Sequence, residues 1–412
     1  MNILLINHYA GSIYHGMEYR TYYLAKEWVR AGHKVLIAAS DQSHVRNTKI
    51  IIPKNKSYLY ENIDGIDYLW LKTTKYSKNG VKRAINIFSF IAQLYRFSRI
   101  ISKEFLPNIV IASSTYPLDI FPAHHIAEIT KAKLIYEIHD LWPLSPIQLG
   151  NMPNYHPFIM LLQYAENYCY KYCDAVVSML PKVEKHVKEH GLDLRKLHIV
   201  ENGICIDDWS NCGETPDKIS KEIIKQKQNS NFTIAYVGQH GIANALTNFI
   251  KATDILKNEK VSFFLVGKGP EKENLVKLAK DLQLKNIFFF DNVPKTSIPS
   301  LLPKFDSLYI GLQKQPLFLY GISPNKLMDY MMSGKPIIQA IEAGNDMVRD
   351  SSCGISVSAE DSKALAEAIR QMTEIPESKR EEMGKKGQEY VKKYHDYKVL
   401  GKKFLDLMLS LN

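Results

Sequence analysis

Short apolar runs alternate with helix-patterned segments along the whole chain, and this constrains the fold more than any other feature. Strands are predicted at residues 3–6, 35–39, 68–71, 109–112, 134–138, 175–178 and 198–200. Most are continuous in Ile, Val, Leu and Ala and lack the alternation of a strand with one wet face. Such runs must be covered on both faces, which a parallel sheet achieves by a crossover helix after each strand. Residues 207–230 turn polar, with Asn, Lys, Gln and Asp dominating, and read as a linker. The alternation restarts at 233–237 and continues at 262–266, 287–290, 307–311, 336–339 and 355–357. A charged helical stretch begins at about residue 381. The expected fold class is α/β, with two doubly wound, Rossmann-like domains, 1–206 and 207–389, facing a central cleft. A helix at about 390–412 is expected to pack back on the first domain. Ligands in such sheets bind beyond the carboxyl ends of the strands, so the chemistry belongs in the loops there.

With 412 residues the chain is long enough for two separate cores. Its 45% hydrophobic and 23% charged content is that of an ordinary soluble protein. No apolar run approaches the ~20 residues of a membrane span, and residues 2–7 read as a buried strand rather than a leader, so the expected location is the cytosol. Five cysteines without a CxxC pair indicate neither a disulfide framework nor a zinc site. The net charge of +10 leaves nucleic acid, an anionic membrane surface or a phosphorylated substrate as partners. The basic residues are scattered and no nucleic-acid motif is present, which favours phosphate and membrane.

The most informative stretch runs from Gly321 to Pro336 and reads GISPNKLMDYMMSGKP. Ser323 is expected at the N-cap of a short helix and Pro324 at its first position. Leu327, Tyr330 and Met331 repeat at helical spacing, and Gly334 and Pro336 close the segment. The helix N-terminus offers free N–H groups and partial positive charge to a phosphate, and Lys326 adds a full charge. Asp329 lies one turn on, in reach of sugar hydroxyls. The plainer alternative is a surface Lys326–Asp329 ion pair. A lysine in the first turn opposes the helix dipole, however, and an anionic ligand removes that conflict.

Other loops follow strands in the same way. NHYAGSIYHGMEYR places Gly11 and Gly16 before a helix whose start carries Glu18 and Arg20, and it reads equally as a ligand loop or a flexible connection. LIYEIHD ends a strand on His139 and Asp140, with Trp142 as an aromatic platform beside them. In the second domain AYVGQHGIAN puts Gly238 and Gln239 directly after a strand, where a backbone can approach a phosphate closely. Gly267, Lys268 and Gly269 end the next strand. They lack the third glycine of a dinucleotide fingerprint.

On these motifs the chain resembles the retaining glycosyltransferases of family 4, which have the GT-B fold. HGMEYRTYYLAKEWVRAGHKV is similar to that family's first loop, helix and second strand, and IVENGICID to its entry into the second domain. FLVGKGPEKENL with NIFFFDNVP, and SPNKLMDYMMSGKPII, resemble its donor-binding segments. YEIHDLWPLSP and HYAGSIYHGME look closest to bacterial enzymes of O-antigen and capsule synthesis, including those of the N-acetylfucosamine-transferase kind. The resemblance implies a UDP-sugar donor and a polyprenyl-linked or saccharide acceptor. It implies that His139 and Asp140 are catalytic and that Glu18 and Trp142 lie on the acceptor side. Gly16, Gly238, Gln239, Lys268, Val293, Ser323, Asn325, Lys326 and Asp329 would bind the donor, Val293 through its backbone to uracil. The family usually carries two Glu eight residues apart. Here Gly321 and Asp329 stand in those places, and Gln239 and Asn244 or a neighbour replace the usual Arg and Lys.

No cofactor or metal is expected, since no Asp-Xaa-Asp triplet occurs and lysines with backbone N–H groups can stabilise a leaving diphosphate. Front-side attack would need no protein nucleophile. A UDP-sugar 2-epimerase of the same architecture and a catalytically silent nucleotide-sugar binding protein are the alternatives. From Lys78 to Lys103 the chain has no acidic residue, while Lys78, Lys82, Arg83, Arg96, Arg99 and Lys103 are basic. Ile87, Phe88, Ile91, Leu94 and Tyr95 recur at helical spacing there, and Phe90 and Phe97 widen the apolar surface. That pattern suits either a helix packed on a sheet or one lying on an anionic membrane, and the second predicts peripheral attachment to the inner face of the cell membrane.

Overall fold

The structure, a computed structural model, describes residues 1–16, 19–76, 80–210 and 212–411. It comprises two compact units, Met1–Asn202 with Tyr397–Asn412, and Gly203–Asp396.

The first unit is built on an eight-stranded sheet: β1 (Asn2–Ile6), β2 (Lys34–Ser40), β3 (Tyr58–Ile63), β4 (Ile66–Leu71), β5 (Ile109–Ala112), β6 (Lys133–Ile138), β7 (Ala175–Ser178) and β8 (Leu197–Ile199). Their spatial order is β3-β4-β2-β1-β5-β6-β7-β8. All neighbours pair in parallel except β3 with β4. Sequence reading missed β3. Its signal was the Asp64-Gly65 dipeptide between two strand-like runs, and both residues have positive φ, as a two-residue hairpin turn requires. The chain leaves β1 for β2 on one side and returns to β5 on the other, so a topological switch point lies between β1 and β5.

The second unit holds β9 (Phe232–Val237), β10 (Val261–Val266), β11 (Ile287–Phe290), β12 (Ser307–Gly311), β13 (Ile337–Ala340) and β14 (Gly354–Val357), ordered β11-β10-β9-β12-β13-β14 and all parallel. Alternate residues of each strand enter two different cores. Ala235, Val237, Phe264, Val266, Leu308 and Ile310 point one way, and Ile234, Tyr236, Phe263, Leu265 and Tyr309 the other. Two buried faces explain why these strands read as unbroken apolar runs. The switch point here lies between β9 and β12.

Two expectations need correction. The polar stretch read as a linker contains the helix Asp217–Gln228, which buries Ile219, Ile223 and Gln226. Its apolar residues are few, because only one narrow stripe meets the core. The closing charged stretch divides into Glu377–Tyr394, in the second unit, and Tyr397–Leu411, in the first. In the latter, Gly401 accepts a hydrogen bond from Trp28 Nε1 at 3.1 Å, and Phe404 meets Trp28 edge-on at 5.2 Å. A Cβ at Gly401 would come within 2.7 Å of Glu27 Cβ, so the close approach requires glycine.

Candidate active site

In the second unit the helix Asn325–Met332 follows β12 and the loop after it. Tyr330 fixes its position. The buried phenol accepts from the Val237 N–H at 2.7 Å and donates to the Val237 carbonyl at 3.0 Å, pinning the helix to the end of β9. Lys326, one turn earlier, is thereby brought to the loop that follows β9. Its Nζ donates to Tyr236 Oη at 2.5 Å and Asn244 Oδ1 at 2.9 Å, and it stands 4.3 Å from the centre of the Tyr236 ring. Neither partner carries opposite charge, so burial lowers the Lys326 pKa to about 7. The helix start differs from expectation: Pro324, extended, is the N-cap, and Ser323 precedes it as a buried residue. A residue before proline is disfavoured in the helical region, and Ser323 sits there.

The backbone at the strand ends is crowded. A Cβ on Gly238 would lie 2.6 Å from Lys326 Cε, one on Gly267 1.8 Å from the Gly238 carbonyl, and one on Gly269 2.3 Å from the His240 carbonyl. These glycines let the loops after β9 and β10 and the Lys326 side chain come together. Sequence reading missed His240. Its imidazole is buried, with neither Nδ1 nor Nε2 partnered, and burial, reinforced by Lys272 and Lys326, lowers its pKa to about 4. A neutral, unsatisfied imidazole beside a cationic amine is a ready partner for a polar ligand. The glycines flanking it in GQHG were the available signal.

The other donor-side candidates are placed as follows. Gln239 is exposed and contributes its carbonyl, which accepts from Tyr236 Oη at 2.7 Å and Asn244 Nδ2 at 3.0 Å. Lys268 and Asn325 are exposed. Val293 is half-buried against the core. Asp329 pairs with Lys295 at 2.9 Å, a partner from the loop after β11 that local spacing could not reveal, in place of the Lys326 ion pair considered above. Gly321 has a φ of 93° and caps the 3-10 turn Pro316–Tyr320.

In the first unit the centre is Glu137, also missed by sequence reading. It shares a face of β6 with His139 two residues on. Arg20 donates to Glu137 Oε1 from Nε at 3.0 Å and from NH2 at 2.9 Å. Ser113 donates to Oε2 at 2.6 Å, and His139 Nε2 lies 3.2 Å from Oε2 and 2.9 Å from Ser113 Oγ. Burial alone would raise the Glu137 carboxyl, but Arg20, His139 and Ser113 more than offset it and hold it well below the usual carboxylate range. A glutamate inside an otherwise apolar strand was the signal.

Asp140 turns away from this cluster. Its Oδ1 accepts from the Leu141 N–H at 2.9 Å and from Ser145 Oγ at 2.6 Å, contacts that shape the loop, and burial raises its pKa. Trp142 is half-buried, 5.9 Å from the Arg83 guanidinium and 6.3 Å from the Tyr116 ring. A Cβ on Gly16 would lie 2.5 Å from Asn47 Nδ2, so this glycine admits the strand-following segment that carries Asn47. Glu18 lies outside the described residues.

These residues gather at the carboxyl ends of parallel strands, where open α/β sheets bind their ligands. Residues 14–208 match the family described as Glycosyltransferase Family 4, and residues 217–390 match Glycosyl transferases group 1. The chain is a GT-B glycosyltransferase built from those two family domains. It is 24% identical to the probable glycosyltransferase WbjE of Pseudomonas aeruginosa over 69% of this chain and 71% of the relative. It is also 24% identical to the lipopolysaccharide core biosynthesis glycosyltransferase LpsD of Rhizobium meliloti, over 80% and 82%. Among solved structures, Anabaena HepE in complex with UDP and glucose superposes with a TM-score of 0.68 at 14% identity, covering 100% of both chains.

The buried ion pair generates a prediction. Glu137→Gln leaves the Arg20 charge unpaired in the core and should lower stability at neutral pH by about 3–5 kcal/mol. Because the folded-state pKa lies below the ordinary 4.5, the wild-type pair stabilises fully above pH 4.5 and progressively less below it. Urea unfolding at pH 7 and pH 3 checks this: the gap between wild type and variant should narrow at the lower pH, and an equal gap would refute it.

Proposed function

We propose that this glycosyltransferase moves a sugar from a UDP-sugar to a lipid-linked or saccharide acceptor in surface polysaccharide synthesis, with retention of anomeric configuration. The observation that carries the reading is the recess at the β9 end. There, among the described residues, a half-buried lysine and a helix N-terminus lack an anionic partner, beside a neutral histidine whose ring nitrogens are open to a ligand. A diphosphate supplies the missing negative charge. HepE, of the same fold, is described as bound to UDP and glucose. WbjE and LpsD are named as bacterial glycosyltransferases, the latter of lipopolysaccharide core synthesis. The likeness of YEIHDLWPLSP to O-antigen and capsule enzymes favours an N-acetylated deoxy-aminosugar.

In the proposed reaction the acceptor oxygen bonds to the anomeric carbon on the face from which the phosphate oxygen leaves. The leaving diphosphate takes the acceptor proton, and UDP departs. Lys326, His240 and the backbone N–H groups at the helix start stabilise the charge that develops on the diphosphate, without a metal. Asp329, steadied by Lys295, is assigned to the ribose, and Lys268 to the outer phosphate. His139, steadied by Glu137 and Ser113, is assigned to the transferred sugar.

Lys326→Ala should weaken UDP binding by about 1.5–3 kcal/mol, the usual cost of losing a hydrogen bond to a charged group. With a free-state pKa of about 7, Lys326 must take up a proton to bind diphosphate at higher pH. UDP affinity should therefore be greatest below pH 7 and fall by up to about tenfold per unit above it. Calorimetric titrations across pH 6–9 test this; a wild-type profile matching that of Lys326→Ala would remove the assignment.

His139→Ala should reduce kcat while leaving UDP affinity nearly unchanged, the pattern of a contact made in the transition state. Normal turnover would make His139 a structural residue.

Membrane attachment is proposed for the helix Val81–Ile100. Ile87, Phe90, Leu94 and Phe97 are buried, so Phe90 and Phe97 are core residues and not part of an outward apolar surface. The exposed face instead shows Val81, Ile85, Phe88 and Tyr95 with Lys82, Arg96 and Arg99. Phe88 meets Phe158 at 6.4 Å, and the neighbouring helix Pro157–Tyr172 exposes Met160, Tyr164 and Tyr172, which extends the aromatic surface. Arg83 is turned to Tyr9, its Nε 3.1 Å from Oη, and leaves the basic group. Lys78 lies outside the described residues. Among the described residues no helix is long and apolar enough to cross a membrane. Vesicles rich in anionic lipid should bind the protein in a salt-sensitive manner, at about 1 kcal/mol per basic residue near the surface. Replacing Lys82, Arg96 and Arg99 with Gln should weaken that binding and spare UDP binding. Binding indifferent to salt and to these changes would exclude this face.

A further inference from the structure

Glu166, His186 and His190 form a cluster that the proposed reaction does not use. Glu166 comes from the helix Pro157–Tyr172, while His186 and His190 come from the helix Glu184–Glu189 and the residue that caps it. The histidines are four residues apart, which puts both on one face of a helical turn. One ligand atom from each of the three residues lies within 4.8 Å of the other two, and Glu166 and His186 are buried while His190 is half-buried. We propose that these residues bind a divalent transition-metal ion of the zinc type, with two imidazoles and one carboxylate as protein ligands.

Three features support the site. The first is the ligand set. Two histidines and a glutamate suit zinc, and three protein ligands leave a fourth position open. The second is the polar surround. Gln163 Nε2 donates to Glu166 Oε2 at 2.7 Å and to Asn167 Oδ1 at 2.9 Å and lies 3.0 Å from His190 Nδ1, so one amide stands between two of the three ligand residues. The third is the outer shell and access. Tyr170 donates to Glu166 Oε1 at 2.9 Å, the kind of contact that orients a ligating carboxylate. His190 is half-buried, which leaves that side of the cluster reachable from solvent.

Without an ion, His186 Nε2 lies 2.7 Å from Glu166 Oε1, so one proton occupies the position that the metal would take. Binding therefore exchanges that proton for the ion, and it moves the Gln163 amide off His190. Zinc–ligand bonds of ~2.1 Å place neighbouring ligand atoms about 3.4 Å apart, so on binding the Glu166–His186 pair would open from 2.7 Å. The ion would tie the helix before β7 to the one after it. The cluster shares no residue with the Glu137–His139 group or with the diphosphate recess, so the proposal stands apart from the proposed transfer reaction.

The test uses the tag-free full chain, stripped with chelator and titrated with Co2+ and then Zn2+. One Co2+ per chain is expected, with the intense visible bands of four-coordinate cobalt, lost on addition of Zn2+, together with a Zn2+-dependent rise in melting temperature. His190→Ala, half-buried and tolerable to the fold, should abolish the bands, and Tyr170→Phe should weaken affinity ~10–100-fold. Gln163→Ala should retain binding, since it removes a competitor and not a ligand. No cobalt spectrum and no zinc-dependent stabilisation in the wild type would show that the cluster is a hydrogen-bonded network only. Equal metal binding by wild type and His190→Ala would place the ion elsewhere and overturn the assignment.

Discussion

The buried pairing of Arg20 with Glu137 holds the first unit's working parts in register. Two nitrogens of the guanidinium take one carboxylate oxygen, and the same group reaches the Val200 carbonyl at 2.7 Å and the Glu201 carbonyl at 2.5 Å. One side chain thus joins the first helix, the sixth strand and the chain leaving the last strand. Two desolvated charges persist in a core only when paired and hydrogen-bonded throughout, and here every arm of the fork has an acceptor. The second oxygen of Glu137 receives Ser113 and His139. The orientation of a candidate catalytic histidine is therefore set by an ion pair that itself never needs to meet a substrate.

The second unit reaches a similar end by different means. Its candidate lysine has no carboxylate partner among the described residues. Tyr330 fixes the helix, glycines allow two strand-end loops and the Lys326 side chain to meet, and aromatic and amide groups receive the Lys326 amine. Burial without a counter-charge depresses the lysine pKa, and a bound diphosphate would restore it. In the proposed reaction the anion is the group that resolves this burial cost. His240, buried and unpartnered, belongs to the same state of incomplete satisfaction. Glu137 in one unit is fully satisfied, whereas Lys326 and His240 in the other are not. That contrast is the basis for assigning the first to the organisation of the fold and the other two to the proposed ligand.

The strands were legible because a buried strand writes its environment into every residue. Runs such as those at 109–112 and 175–178 are apolar on both faces and were placed at their observed bounds. Gly238 and the helix carrying Lys326 were legible because tight turns and helix starts have local chemistry. Three features escaped. The edge strand β3 is exposed over Tyr60, Glu61 and Asn62, and so it lacked the unbroken apolar signature of the others. The helix Asp217–Gln228 buries only a thin stripe and resembled a linker. The helix Val81–Ile100 showed its periodicity plainly, but which aromatic residues turn inward depended on the sheet beneath it.

The sequence by itself determined the α/β class, the two-unit order and nearly all strands, because each depends on patterns within a few residues. Tertiary structure alone decided the partners. Arg20 meets Glu137 across 117 positions, Lys326 meets Asn244 across 82, and Asp329 takes Lys295 across 34. Charge and hydrogen bonding act through space, so a residue's partner is fixed by which strand ends the sheet order brings together, and that order is written nowhere in local spacing.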